Sequence, residues 1–442
     1  MTSETLEKTE NILIIGSGGR EYAIGLSLIK NNKGNCGASL YCCATNNNIG
    51  LINICEEIEV GDIMDFEWVY SKVKGWNIDL VFVGPEKPLA FGIVDYLQDK
   101  NIKVIGPNKK NARIESSKIF ARKLMNKYNL KKYSPEYYVL DHYDEDELCY
   151  IYQKLQNKFV IKPDGLTGGK GVKIFGEHLN EYVDCDKYIF NCMKDESRIL
   201  IEERLEGVEF SLFTLTNGLH CLHSPIVQDY KRLNGEGTPM TGGMATISYG
   251  NSLPPFLTKE DYKTCVMINE KVIGACHSEN GSCYNGFLYG SFIKTKNGIK
   301  VIEFNCRLGD PEAINLMELL ETDLIYLFKC MSNMNAFNGV YWEFRDCKSL
   351  VKYLVVPGYP TKPNNDFTLD ITEDWIENQQ IRWANVSLDI ENVAIQPGKS
   401  RCIAVIETGT KWDTFHYIEH KVNKTISKIP KKFFWLKKIF KF

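Results

Sequence analysis

No two cysteines stand at C-x-x-C spacing, although 15 are scattered through the 442 residues. An odd, dispersed set of this kind is neither a zinc pattern nor a disulfide framework. It suits the reduced thiols of a cytosolic enzyme, with Cys265, Cys306 and Cys402 set in apolar, core-like surroundings. No sign of charge dominates: the net charge is −3, and nothing global recommends nucleic acid as a partner. No apolar run is long enough to span a bilayer. The first ten residues are polar and acidic, unlike a secretory leader. These absences set the expectation of a cytoplasmic protein with no transmembrane segment. Internal repeats and long low-complexity tracts are also missing. His416 and His420 are four apart, but the glutamate of a zincin does not follow the first, so they read as a solvent face.

What is present is a globular composition, 44% hydrophobic and 25% charged, with length for two to four packed units. Residues 11–15 are an apolar run ending in Gly16-Ser17-Gly18-Gly19-Arg20-Glu21, and a helical pattern follows through Lys30. Strand, glycine turn and helix together offer backbone N–H groups to a phosphate. Tight strand–helix packing explains the same glycines equally well. Residues 79–83 form a second buried strand ending in Gly84-Pro85-Glu86, and 104–105 a third ending in Gly106-Pro107. Strands alternating with helices predict an open parallel sheet with ligands at the strand carboxyl ends. Glu115-Ser116-Ser117-Lys118 opens a basic helix through Lys127, where Lys118 reads as a surface charge. The acidic run 141–148 caps and starts another helix.

Residues 158–162 and 172–175 read as strands joined by a loop carrying Gly165, Gly168, Gly169, Lys170 and Gly171. Such a pair can close over a triphosphate as a flap, with Lys162 and Lys170 meeting phosphate oxygens. It is not a Walker A loop, because the glycine spacing differs and Gly171 stands where Ser or Thr is needed. Four glycines among two lysines are a costly way to build a plain turn. Residues 199–201 lead into Glu202-Glu203-Arg204-Leu205-Glu206-Gly207-Val208-Glu209, an extended acceptor-rich segment suited to an adenine edge and ribose hydroxyls, or an acidic loop. Gln228-Asp229-Tyr230-Lys231-Arg232 precedes a second glycine-rich stretch, 235–243, with Thr241-Gly242-Gly243, which reads as a substrate loop or a flexible surface loop.

Residues 257–273 read as a helix, 286–293 and 299–304 as a hairpin about Asn297-Gly298, and 312–330 as one long helix. Within 301–312, Glu303 and Asn305 sit two apart, so a strand puts both on one face. A carboxylate beside an amide oxygen is a hard-oxygen pair of the kind Mg²⁺ takes. Arg307 adds an anion fork, and Gly309, Asp310 and Pro311 a tight turn. A buried salt bridge at a strand end fits the segment equally well. From Ser349 the texture is that of a small α+β unit. Its tail, 428–442, alternates lysines with aromatics and reads as a short amphipathic helix folded back on the domain, or as a membrane or partner contact.

Taken in order, Gly16–Glu21, Val83–Glu86, Ile105–Pro107, Lys162–Val172, Gln228–Arg232, Thr241–Met244 and Glu303–Glu312 resemble the phosphoribosylamine–glycine ligases of the ATP-grasp superfamily. The resemblance runs over roughly 11–425, and Arg307-Leu308-Gly309-Asp310-Pro311-Glu312 with the Lys162 loop carries most of it. It implies an α/β and α+β multidomain fold. That fold has a Rossmann-like N-terminal domain (1–113), an ATP-grasp core (114–340) with a lid at about 134–206, and a small α+β C-terminal domain (341–442). It implies ATP-dependent joining of glycine to 5-phosphoribosylamine through a glycyl phosphate, with ADP and phosphate released, in purine synthesis. Matched by motif, Lys118, Lys162 and Gly168–Gly171 (Gly168, Gly169, Lys170, Gly171) would hold the ATP phosphates. Glu202, Glu203, Leu205 and Glu209 would take the adenosine, and Glu303 and Asn305 Mg²⁺ or Mn²⁺. Gly18, Gly19, Arg20 and Glu86 would face phosphoribosylamine. Asp229, Lys231, Thr241, Gly242, Gly243, Arg307 and Asp310 would line the acceptor and glycine side, with Arg307, Asp229 and Lys162 catalytic. A monomer or weak homodimer is expected.

The chain departs from the family at Ser291, where some relatives carry another metal ligand, and at Pro163, Glu236, Ile314 and the tail. Another ATP-grasp ligase, a silent nucleotide-binding scaffold and a dehydrogenase are the competing readings. The glycine turn lacks the full dinucleotide fingerprint, and Glu303, Asn305 and the lid lysines are all present.

Overall fold

The computed structural model describes residues 9–30, 37–168, 171–194, 198–233, 240–332, 339–369, 373–389, 394–429 and 433–435. The N-terminal unit is a five-stranded parallel sheet in the order Glu57–Val60, Ala38–Ala44, Glu10–Ile15, Leu80–Val83, Lys103–Ile105. The strands read from sequence are there, and Ala38–Ala44 and Glu57–Val60 join them. Leu80–Val83 is buried at every position, as expected of a strand covered on both faces. Strand order reverses between Glu10–Ile15 and Leu80–Val83, so the turns at Gly16 and Gly84 open side by side at the switch point where such sheets bind ligands.

A second sheet of nine strands forms the body. Its path runs Gly298–Asn305, Gly286–Thr295, Val208–Thr216, Val227–Arg232, Met240–Ser248, Cys347–Val355, Arg401–Thr410, Ile381–Trp383, with Cys221–His223 off the side. The unit expected at the C-terminus adds its strands to this same sheet. Its first strand, Cys347–Val355, pairs with Met240–Ser248 from Ser248↔Ser349 to Ala245↔Lys352. The span expected to form a lid carries a sheet of its own, ordered Tyr137–Leu140, Ile199–Glu203, Phe159–Pro163, Lys173–Ile174. Leu140, Leu148, Ile151, Phe159, Ile161 and Ile189 belong to a core of its own beneath helices Glu145–Lys154 and Tyr182–Lys194.

Three helix expectations are corrected by capping chemistry. The span 312–330 is two helices, Glu312–Leu319 and Leu324–Met331, because the Asp323 carboxylate accepts from Ile325 and Tyr326 N–H and starts a new helix. The helix expected over 257–273 is Lys259–Asn280, opened by a Thr258–Asp261 capping box and closed at Gly281. The basic helix begins at Lys118, because Ser117 caps it and ends the helix Lys109–Ser116 before it. In the tail, Phe433 is buried and Phe434 exchanges two backbone hydrogen bonds with Val355. That part folds back as an extended bridge, not a helix, and 430–432 and 436–442 lie outside the described residues.

One buried side chain ties the first sheet to the last. Asn48 is fully buried, and its amide nitrogen lies 2.8 Å from Ser17 O, 3.1 Å from Trp383 O and 3.0 Å from Ala384 O. Its Oδ1 caps the helix Ile49–Ile52 through Gly50 N–H. Asn48→Ala strands those carbonyls, and the expected loss is about 1–3 kcal/mol by urea unfolding. A change within experimental error would show that apolar packing alone holds the two units together.

Candidate active site

The metal-type pair is aimed by a β-bulge. Gly298–Asn305 pairs with Gly286–Thr295, but Ser291 faces Glu303 while Phe292 faces Val301, so Ile302 is an extra residue. One inserted residue switches the face of everything after it. Ile299 and Val301 point into the core before the bulge, Phe304 and Cys306 after it. Glu303 and Asn305 therefore emerge on the opposite face. They line a cavity of about 130 Å³ with Lys118, Lys162, Gly165, Gly168, Glu202 and Arg307. The freed Ile302 carbonyl is taken by Arg122 Nη2 at 2.5 Å. No hydrogen bond or ion pair engages the Glu303 or Asn305 side chain among the described residues.

Opposite this pair sits a buried charge network. The Glu202 carboxylate is gripped by the Arg122 guanidinium at both oxygens and by Lys162 Nζ at 2.5 Å. Burial pushes the Glu202 carboxyl up, but the two cations outweigh it and hold it near pKa 2. Glu202 thus orients Lys162: its Oε2 receives both Arg122 and Lys162, and its Oε1 receives Arg122 alone. Lys118, read as a surface charge, is half-buried at the cavity and donates to Gly165 O at 2.7 Å. Burial holds its ammonium below the ordinary lysine range, and Lys162 adds to this while Glu303 opposes it. Asp164 fixes the glycine loop to the same helix start by accepting from Ser117 Oγ and Ile119 N–H.

Arg307 forms the buried salt bridge read from sequence and also borders the cavity. Its partners are Glu115 at 2.9 Å and Glu86 at 3.4 Å. Burial raises the Glu86 carboxyl, yet Arg307 and Arg20 together hold it below the usual range. Burial raises Glu115, which also accepts the Cys306 N–H at 2.8 Å.

The first glycine turn does not present an open phosphate cradle. Glu21, at the third position of helix Gly19–Lys30, reaches back and accepts the Gly18 N–H at 2.8 Å, as a capping glutamate does. A Cβ on Gly84 would come within 2.0 Å of that carboxylate. Arg20 is spent on Glu21 Oε1 at 2.6 Å and Leu308 O at 3.0 Å. Gly18, Gly19 and Arg20 therefore shape a wall, and their exposed donors are fewer than the sequence suggests.

A second polar cluster lies deeper. Lys231 contacts Glu209 at 3.0 Å and Asp229 at 3.5 Å. Glu312 is held by Tyr289 Oη at 2.8 Å and stands close enough to raise the Asp229 carboxyl. One lysine among three carboxylates cannot neutralise them all. Burial first, then Glu312 and Glu209, push Asp229 up to about 7 against the pull of Lys231. Thr241 bonds Lys231 O at 2.7 Å, closing the loop onto the cluster. Of the residues assigned to adenosine, only Glu202 borders the cavity; Glu203, Leu205 and Glu209 do not, and Glu209 is committed to Lys231. Gly169 and Lys170 lie outside the described residues, as does Glu236.

Arg122, Asp164, Tyr353 and Arg401 escaped the sequence reading. Arg122 had a signal, since it is four residues from Lys118 on one helix and shares its face. Tyr353 and Arg401 had none, because they reach Asp310 from strands remote in sequence.

Residues 10–115 match the profile of the phosphoribosylglycinamide synthetase N domain, and 116–313 that of the phosphoribosylglycinamide synthetase ATP-grasp (A) domain. A phosphoribosylamine–glycine ligase of Methanopyrus kandleri is 36% identical over 411 residues, covering 90% of this chain and 89% of that protein. One from Methanocaldococcus jannaschii is 36% identical over 421 residues, covering 94% and 93%. Among solved structures, a phosphoribosylamine–glycine ligase of Thermotoga maritima superposes with a TM-score of 0.75 at 24% identity, over 97% of this chain and 99% of that one. The fold likeness extends to a biotin carboxylase of Campylobacter jejuni, with a TM-score of 0.67 at 13% identity over 97% and 93%. The multidomain architecture expected from sequence, with its ATP-grasp core, is thus present, and the chain belongs to the phosphoribosylamine–glycine ligase family.

Proposed function

We propose that this protein joins glycine to 5-phosphoribosylamine at the expense of ATP, through a glycyl phosphate, giving glycinamide ribonucleotide, ADP and phosphate. The observation that carries the reading is the single cavity shared by Glu303, Asn305, Lys118, Lys162 and the glycine loop. Two anions must meet in this reaction, the glycine carboxylate and the γ-phosphoryl group. Lys118 and Lys162 lower that repulsion, and the Glu202–Arg122 pair keeps Lys162 in place. Glu303 and Asn305 fit Mg²⁺ or Mn²⁺: a carboxylate and an amide oxygen with no protein partner suit a hard cation that completes its shell with phosphate and water. Such a cation, when bound, neutralises and aligns the phosphate oxygens. Ser291 lies directly across from Glu303 and offers only a hydroxyl, which favours one cation here. Gly168–Gly171 would close over the phosphates, and Glu203, Leu205 and Glu209 would approach the adenosine only after the lid moves. A cavity of about 130 Å³ is smaller than the ~300 Å³ of a small-molecule site, so the lid must open to admit nucleotide. Closed, it protects the acyl phosphate from water.

Arg307, at the cavity edge, would receive the glycine carboxylate or its acyl phosphate by exchanging one of its glutamate partners. Gly19, Glu86, Thr241, Gly242 and Gly243 would bound the acceptor. Asp229 would take a proton from the attacking amine, with Lys231 fixing its position. No helix among the described residues is long and apolar enough to cross a membrane, and a cytoplasmic monomer or weak dimer suits small soluble substrates.

The test is to incubate pure protein with Mg-ATP and glycine, with and without freshly generated phosphoribosylamine, and to weigh the product. Glycinamide ribonucleotide and matching ADP should form only with all three. ADP without that product would defeat the reading.

The role of Asp229 has its own signature. Only the ionised carboxylate accepts a proton, and its pKa is about 7, so kcat should rise with pH through that value. Asp229→Asn should flatten this limb and lower kcat roughly 10²-fold. An unchanged profile in the variant would assign the proton to another group.

A further inference from the structure

Two side chains from the C-terminal strands converge on one carboxylate of the 301–312 stretch. Tyr353, in Cys347–Val355, donates its hydroxyl to Asp310 Oδ1 at 2.6 Å. Arg401, which opens Arg401–Thr410, donates Nη2 to Asp310 Oδ2 at 2.9 Å and Nη1 to Asp310 O at 2.5 Å and Gly243 O at 3.0 Å. Its guanidinium lies 4.9 Å over the Tyr353 ring. The glycines crowd the same point. A Cβ on Gly19 would come within 2.3 Å of Tyr353 Oη, one on Gly242 within 3.0 Å of Arg401, and one on Gly243 within 2.6 Å of Pro311. Segments far apart in sequence are thus built against Asp310.

Resting on the ligation reading above, we infer that Arg401 and Tyr353 are positioning residues that aim the Asp310 carboxylate at the acceptor amine. Each carboxylate oxygen has two acceptor directions. The protein side chains fill one on each, and the other two remain for the N–H groups of an amine. Asp310 is about one-fifth exposed at its side chain, so a ligand can reach it. Tyr353 is wholly buried, so its hydroxyl serves Asp310 and not solvent. The Arg401 fork holds both the carboxylate and the backbone of the residue that bears it, which fixes its plane as well as its position. The C-terminal strands thereby contribute to acceptor recognition without touching nucleotide.

A staple that merely held strands together would make the same contacts, so the test separates the two. Tyr353→Phe and Arg401→Lys are assayed as full-length protein, with KM measured separately for phosphoribosylamine, glycine and ATP. Losing one hydrogen bond to a charged group should raise the KM for phosphoribosylamine about tenfold or more. The other two KM values should stay within about twofold. Asp310→Asn should reproduce the pattern, and urea midpoints show which variants are folded. A common rise of all three KM values, or a fall in kcat alone, overturns the inference. If the wild-type protein shows no phosphoribosylamine-dependent product, the parent reading fails first. If it does and the KM values do not split, only the role of Arg401 and Tyr353 fails.

Discussion

Glu303→Ala is expected to abolish glycinamide ribonucleotide formation, with turnover down at least about a thousandfold, while the protein remains folded. Glu303 is the one carboxylate of its strand face that meets the cavity, and no protein group depends on it for a hydrogen bond among the described residues. Its removal therefore leaves no buried partner stranded, and the stability cost is within about 0.5 kcal/mol, as for a surface change. On the proposed reading, what would be lost is the anionic anchor for a hard cation facing the phosphates. Asn305 alone, a neutral oxygen, cannot hold Mg²⁺ against water. Glu303→Gln keeps the shape and loses the charge, so it should be nearly as inactive. Circular dichroism and a urea midpoint establish folding, and coupled ADP release with both substrates measures turnover. Near-normal ADP release in Glu303→Ala would show that the cation is anchored elsewhere.

Glu202→Ala has the opposite balance: it removes stability first and activity with it. Its carboxylate is 2% exposed and neutralises both Arg122 and Lys162, with Lys162 at 2.5 Å. Deleting it leaves two buried cations side by side, which costs roughly 3–5 kcal/mol. Arg122 also caps the bulge carbonyl of Ile302, so a displaced Arg122 disturbs the aim of Glu303 as well. The pH dependence has a definite sign. The folded pKa is near 2 and the ordinary value is 4.5, so the stabilisation is complete above about 4.5 and is lost as pH falls toward 2. The gap in urea midpoint between wild type and Glu202→Gln should therefore narrow in that window and hold constant above it. A gap that is the same at pH 3 and pH 7 would mean that charge is not what Glu202 contributes.

Much of the site was legible from local chemistry, and the misses share a cause. The Glu303–Asn305 pair was read from a two-residue period, and that reading survives because the bulge at Ile302 precedes both residues. Had the bulge fallen between them, the spacing would have misled. Lys118 was underrated because helix composition reports nothing about what a helix start faces. Here Ser117 and Asp164 turn that start toward the glycine loop. In the acceptor-rich run at 202–209 the sequence does not show that Glu202 and Glu209 carry cationic partners, because Arg122 and Lys231 come from elsewhere in the chain. Glu21 was the reverse case. Its position three residues after Gly18 is a capping pattern, and reading it would have filled the glycine turn in advance.

By itself the sequence determined the parallel N-terminal sheet, the strand at 158–162 that carries Lys162, and the hairpin bearing Glu303 and Asn305. Periodicity, glycine turns and residue chemistry act over a few positions and need no distant partner. Tertiary structure alone decided which charges are free and which are spent. The Arg401–Asp310–Tyr353 junction joins residues 43 to 91 positions apart, and the nine-stranded sheet fuses the C-terminal unit to the core. An ion pair's strength and a carboxylate's availability depend on burial and on neighbours brought in by folding.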